Sequence, residues 1–97
     1  MKVKKIKSLD KLEIGNLYIV KIKSPNLFRI FEKNATYDYE DLRFVGFNKD
    51  GNPLFVDERV RKSLPYYNEP MFFKASNFES GLAYSTSIYE QRNVKKV

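Results

Sequence analysis

Residues 42–57, LRFVGFNKDGNPLFVD, restrict the possible folds of this 97-residue chain more than any other stretch. Aromatic and β-branched side chains flank Asn48-Lys49-Asp50-Gly51, a tetrapeptide suited to a type I turn closed by glycine in the left-handed region. Asp50-Gly51 alone would suit a two-residue turn, and the two registers differ by two residues, so both give the same faces. Strict alternation puts Val45 and Phe47 with Leu54 and Val56 on one face, and Phe44 with Phe55 on the other. Both faces are apolar, more than a sheet with one wet side needs. The hairpin must either curl over a core or have its second face covered. Val45, Phe47, Leu54 and Val56 are the expected core set, and Gly46 is where the strand can bend sharply.

The rest of the chain reads as short strands joined by irregular segments. Residues 8–15, SLDKLEIG, make a helical turn with Ser8 as N-cap and Gly15 as its end. Residues 16–23, NLYIVKIK, form a strand with Tyr18, Val20 and Ile22 on one face. Ser24-Pro25-Asn26 breaks it, and residues 27–33, LFRIFEK, form a second strand. Residues 34–42, NATYDYEDL, show no sustained period and concentrate acid, so they are a loop or an irregular extension of that strand. Residues 60–70, VRKSLPYYNEP, are a loop, residues 71–75 a fourth strand, and residues 82–90 a fifth with Tyr84, Thr86 and Ile88 in step. Residues 76–81 allow one helical turn capped by Ser76 or Asn77, and residues 91–97 a frayed tail.

Five short strands, one tight hairpin and only three alanines indicate a mainly β chain. With no repeat or linker, residues 1–97 form one domain. The opening order of helical turn, strong strand, long irregular segment and hairpin resembles SH3-like small barrels at the level of architecture; a five-stranded OB-like barrel is the alternative.

Composition narrows the chemistry. The chain has no histidine and no cysteine. That removes the commonest general base, the best nucleophile and the usual transition-metal ligands. No phosphate-binding or dinucleotide glycine loop occurs. Glu58, Arg59 and Arg61 with Tyr66 or Tyr67 are the raw material of a histidine-free nuclease, but a non-enzymatic protein without metal or cofactor is the expectation. A cysteine-free chain with no long apolar run and no secretory signal is expected in the cytoplasm, off the membrane.

The net charge of +6 is uneven. Lys2, Lys4, Lys5 and Lys7 at one end and Arg92, Lys95 and Lys96 at the other leave residues 8–91 with 11 basic and 12 acidic groups. Lysine ends together with abundant aromatics suit a nucleic-acid-binding barrel, where cations neutralise phosphates and rings stack on bases. That is the second functional reading. The first is protein docking. Tyr66 and Tyr67 lie between Pro65 and Pro70, and Tyr37, Asp38, Tyr39, Glu40 and Asp41 form an acid-aromatic segment. Tyrosine offers large amphipathic area with few rotors to freeze. Residues with AT-rich codons (Phe, Tyr, Met, Ile, Asn, Lys) far outnumber those with GC-rich codons (Gly, Ala, Arg, Pro). Together with the small size, this suggests an accessory protein of a phage or mobile element that modulates a host protein or enzyme.

Overall fold

The computed structural model describes residues 4–25, 34–64, 69–81 and 84–91. Its strands are β1 (Leu17–Pro25), β2 (Asn34–Phe47), β3 (Pro53–Asp57), β4 (Met71–Phe72) and β5 (Ser85–Glu90), with one short helix, α1 (Glu58–Ser63). All neighbours pair antiparallel in the order β4-β3-β2-β1-β5. Among the described residues the sheet is not closed by hydrogen bonds into a barrel; an isolated parallel bridge, Phe78 to Thr86, reaches β5 from the segment after β4. The expected second strand at residues 27–33 lies outside the described residues.

The acid-aromatic segment is a strand, not a loop. β2 runs through it, with Tyr37 opposite Ile22, Asp38 opposite Lys21 and Tyr39 opposite Val20. Tyrosine alternating with acid is a period of two, but the alternation breaks at Glu40 and Asp41, which together oppose Ile19. This β-bulge shifts the phase, so the core-facing residues step from Tyr39 to Leu42. Asp41 adopts a left-handed φ of 57° there, unusual for a residue other than glycine, asparagine or aspartate. Its backbone N–H donates to Gln91 Oε1 at 2.9 Å, and the Gln91 amide donates back to the Asp41 carboxylate.

The expected hairpin core is on the wrong face, and a second bulge separates Phe47 from the rest of that set. Phe44 pairs with Phe55, but Gly46, not Val45, is the next residue in register, opposite Leu54, and Phe47 then pairs with Pro53. Gly46 takes φ 124°, a conformation for which glycine is suited. Val45 therefore stays with the outward residues Leu54 and Val56, while Phe47 moves to the other side and touches Phe44 at 5.2 Å between ring centres. Val45 and Phe47 are 39% and 45% exposed, and Leu54 and Val56 are half-buried. The core is the opposite face: Phe44 and Phe55 with Tyr18, Val20, Leu42, Phe73, Ile88, Ile6 and Leu12. The turn itself forms as the type I register, with Gly51 N–H donating to Asn48 O at 3.0 Å and Gly51 at φ 82°.

The centre of the core is aromatic. Phe55 lies 5.5 Å from Phe44, 5.7 Å from Phe73 and 6.2 Å from Tyr18, mostly edge to face, as ring quadrupoles prefer. The buried Tyr18 hydroxyl accepts the Glu13 N–H at 2.9 Å, tying the 3-10 turn Leu9–Lys11 and its exit to the core.

Three further expectations change. Residues 58–63 are helical, because the Asp57 carboxylate accepts from Arg59 N and Val60 N and supplies the N-cap. β4 is only two residues long, and the helical turn after it spans Ala75–Asn77 with Lys74, not Ser76 or Asn77, at its N-cap. The lysine-bearing amino-terminal segment is not a separate charged end but part of the fold. Ile6 donates to Ile88 O at 2.7 Å, Glu90 donates to Lys4 O at 2.8 Å, and Ile6 is buried in the core.

Candidate docking surfaces

Two surfaces emerge from this fold, at opposite ends of β1. At the end toward Pro25, Tyr37 and Tyr39 share the core-facing side of the sheet with Ile22 and Val20, their direct cross-strand partners. They are nevertheless 55% and 36% exposed. Tyr39 leans on Phe73, 6.1 Å between ring centres. The hydrophobic core thus runs outward along β2 into a shelf that ends in two solvent-facing rings. Asp38, opposite Lys21, alternates to the other face of the sheet, and both it and Glu40 are exposed. Asp41 has another role, since Gln91 and Arg59 (3.8 Å) hold its carboxylate. Tyr66 and Tyr67 lie outside the described residues.

At the other end lies a cleft of about 580 Å³ lined by Lys4, Lys5, Ile6, Lys7, Lys11, Glu13 and Glu90. Lys5 reaches Glu79 at 3.0 Å; that hydrogen bond, with the glutamate's charge, raises the ammonium pKa. Lys2, Arg92, Lys95 and Lys96 lie outside the described residues. Sequence reasoning did not connect Lys11 with the amino-terminal lysines, because only the pairing of residues 4–6 with β5 brings them to one cleft.

A separate group of charges forms an ion-pair network that the linear sequence conceals. Glu58 accepts from Arg43 Nε at 3.0 Å and from Arg61 Nη1 at 3.3 Å, and Arg43 also donates to Gly15 O. Glu58, Arg59 and Arg61 are therefore held in ion pairs: Glu58 by two guanidiniums and Arg59 by Asp41. Among the described residues no three metal-ligating side chains converge, and no helix is long and apolar enough to cross a membrane.

No family model, curated protein or solved structure matches this chain. The functional reading therefore rests on its own geometry.

The hydrogen bond from Arg43, helped by its charge and by Arg61, holds the Glu58 carboxyl below its ordinary 4.5. A carboxylate with a depressed folded pKa stabilises the fold above its unfolded pKa and loses that contribution as pH falls through the folded value. Glu58→Gln should thus lower stability by about 1 kcal/mol at neutral pH, the scale of a partly exposed pair. The gap from wild type should narrow progressively below pH 4.5. Urea midpoints measured across that range check it; a gap constant with pH would mean the pairs contribute nothing.

Proposed function

We propose that this chain is a non-enzymatic binding module on an SH3-like small barrel that docks on a protein partner through Tyr37 and Tyr39. The SH3-like reading draws on the strand order, in which β1 to β4 form a meander and β5 returns to β1, and on the 3-10 turn Ala75–Asn77 between β4 and β5. In an OB-like Greek key the fourth strand would return beside the first, whereas here it stays beside β3.

The observation that carries the docking reading is the exposure of two tyrosines on the core-facing side of the sheet. Rings mounted on a strand are held by its backbone, so little conformational entropy remains to be lost on binding. Tyrosine also presents a hydroxyl that tolerates water before binding and can pair after it. The neighbouring Asp38 and Glu40 favour a basic partner segment through long-range attraction. The fitting biological role is an accessory protein that modulates a host enzyme by occupying one of its surfaces.

Capture from the native host lysate, with and without nuclease, tests this reading. Wild type should retain a protein partner after nuclease treatment. Tyr37→Ala should weaken that binding at least tenfold, about 1.4 kcal/mol, with its melting temperature unchanged because the ring is largely exposed. A partner released by nuclease, or retained equally by Tyr37→Ala and Tyr39→Ala, would sink the proposal.

A further inference from the structure

β2 is longer than the strands beside it, and half of it has a neighbour on one side only. β3 pairs with β2 from Leu42 to Phe47, then ends because Asp57 caps α1 and the chain turns into the helix. Residues 34–39 pair with β1, and among the described residues no strand pairs with them on the other side. The direction of their backbone groups follows from β5. Ile88 O accepts from Ile6 N and Thr86 O accepts from Glu79 N, so both residues turn their backbone groups away from β1. Their partners Val20 and Ile22 therefore turn theirs toward β2 and bond to Tyr39 and Tyr37. Thr36 and Asp38, one residue out of step, point their N–H and C=O groups at the open side. Thr36 to Glu40 are all exposed. Residues 36–40 carry two carboxylates and no cation, and Asp38 and Glu40 make no ion pair among the described residues. Lys21, directly opposite Asp38, sits instead over the Tyr89 ring at 5.5 Å. Lys21 and Lys23 belong to β1, two strand spacings, about 9.5 Å, from any strand added beside β2.

We propose that the open edge of β2 at residues 36–40 takes an added antiparallel strand from the protein partner, an extended segment in which lysine or arginine alternates with apolar residues. This rests on the docking reading above and specifies how the partner is held. The added backbone pairs with Thr36 and Asp38, which any sequence can do, and the alternate side chains supply selectivity. Residues directly opposite each other share a face, so the cations lie beside Asp38 and Glu40 and the apolar residues beside Tyr37 and Tyr39. A second copy of this chain is a poorer occupant. Pairing residues 36–40 with themselves is centred on Asp38 and sets two carboxylates directly opposite each other, which is destabilising. The acid thus admits a basic strand while discouraging self-association, the hazard of an exposed edge.

The test uses the full chain and a short fluorescein-labelled peptide alternating lysine with valine, read by anisotropy and by amide hydrogen exchange. In the free chain the Thr36 and Asp38 amides should exchange much faster than those of Tyr37 and Tyr39, which bond to β1. The peptide should bind with Kd below about 1 mM at low salt and slow exchange at Thr36 and Asp38 at least tenfold. In the proposed register the lysine N–H groups face β2 and the valine N–H groups face away. N-methylation of the lysines should therefore weaken binding at least tenfold, and N-methylation of the valines less than threefold. Asp38→Asn with Glu40→Gln should also weaken binding at least tenfold and flatten its salt dependence. Melting curves show whether that variant is folded; if it is not, the two N-methylated peptides, which leave the protein unchanged, decide alone. No binding at low salt, or equal binding of the two N-methylated peptides, would overturn the proposal. So would Thr36 and Asp38 amides that are already slow in the free chain; slowing that grows with protein concentration would assign the edge to a second copy. Equal binding of the two peptides, with Tyr37→Ala still losing its host protein, would overturn strand addition and keep the docking reading. Protection of Thr36 and Asp38 by the peptide, with Tyr37→Ala retaining its host protein, would keep strand addition and remove the tyrosines from it.

Discussion

Phe55→Ala should cost the fold about 3–5 kcal/mol, the usual penalty for emptying a fully buried phenylalanine site. Phe55 has no exposed surface, and Phe44, Phe73 and Tyr18 all lie against it. These rings come from four segments of chain, so the site cannot collapse without moving several strands. A domain of this size is stabilised by only about 5–15 kcal/mol in total, so the variant should be partly unfolded near physiological temperature. Phe47→Ala is the matched contrast. Phe47 is half exposed and its described ring contact is with Phe44, so its loss should cost about 1 kcal/mol. Urea denaturation of the two variants checks both figures. Equal losses would mean that Phe47 is packed as tightly as Phe55 and that the core is not centred on Phe55.

The second large effect concerns residues that look like a soluble tail. Ile6→Ala should destabilise the chain by about 2–5 kcal/mol, and deleting residues 1–7 by at least as much. Ile6 is 3% exposed, and the backbone around it exchanges hydrogen bonds with Ile88 and Glu90. The lysines on either side are exposed, so Lys4→Gln should change stability by less than about 0.5 kcal/mol. Thermal melts of the three variants separate apolar burial from charge. If Ile6→Ala melts with wild type, the amino-terminal segment contributes nothing to the core.

Loss of binding on truncating this end would therefore not identify a nucleic-acid contact by itself, because the truncation should also unfold the sheet. Point substitutions at exposed cations avoid that confusion. The same logic favours Tyr37 over Tyr39 as the probe of the shelf. Tyr39 rests on Phe73 and contributes to packing, whereas Tyr37 is mostly in water.

Where an element is specified by local chemistry, its residues announced it. Tyr18, Val20 and Ile22 alternate along β1 because side chains on a strand alternate, and they face the core as that period requires. Gly51 closes the hairpin because the turn needs a residue at positive φ. The α1 helix is legible in the sequence as well, since Asp57 followed by Glu58 is an ordinary N-terminal signal. The tyrosine-acid alternation of residues 37–40 was a strand signal too, but the acid content and the following phase break obscured it.

Sequence by itself determined that this is a mainly β chain with a glycine-closed hairpin and aromatic side chains in excess of what one face can use. Those properties are local: they follow from side-chain period, turn dihedrals and intrinsic preference. Only the tertiary structure decided which hairpin face is the core. Two bulges, at Glu40–Asp41 and at Val45, each add one residue to β2, and each added residue reverses the facing of everything beyond it. Only the tertiary structure, likewise, turned a lysine-rich end into a sheet partner through Ile6. Pairing between residues 4–6 and 88–90 depends on contacts across nearly the whole chain, and no local pattern encodes a contact at that separation.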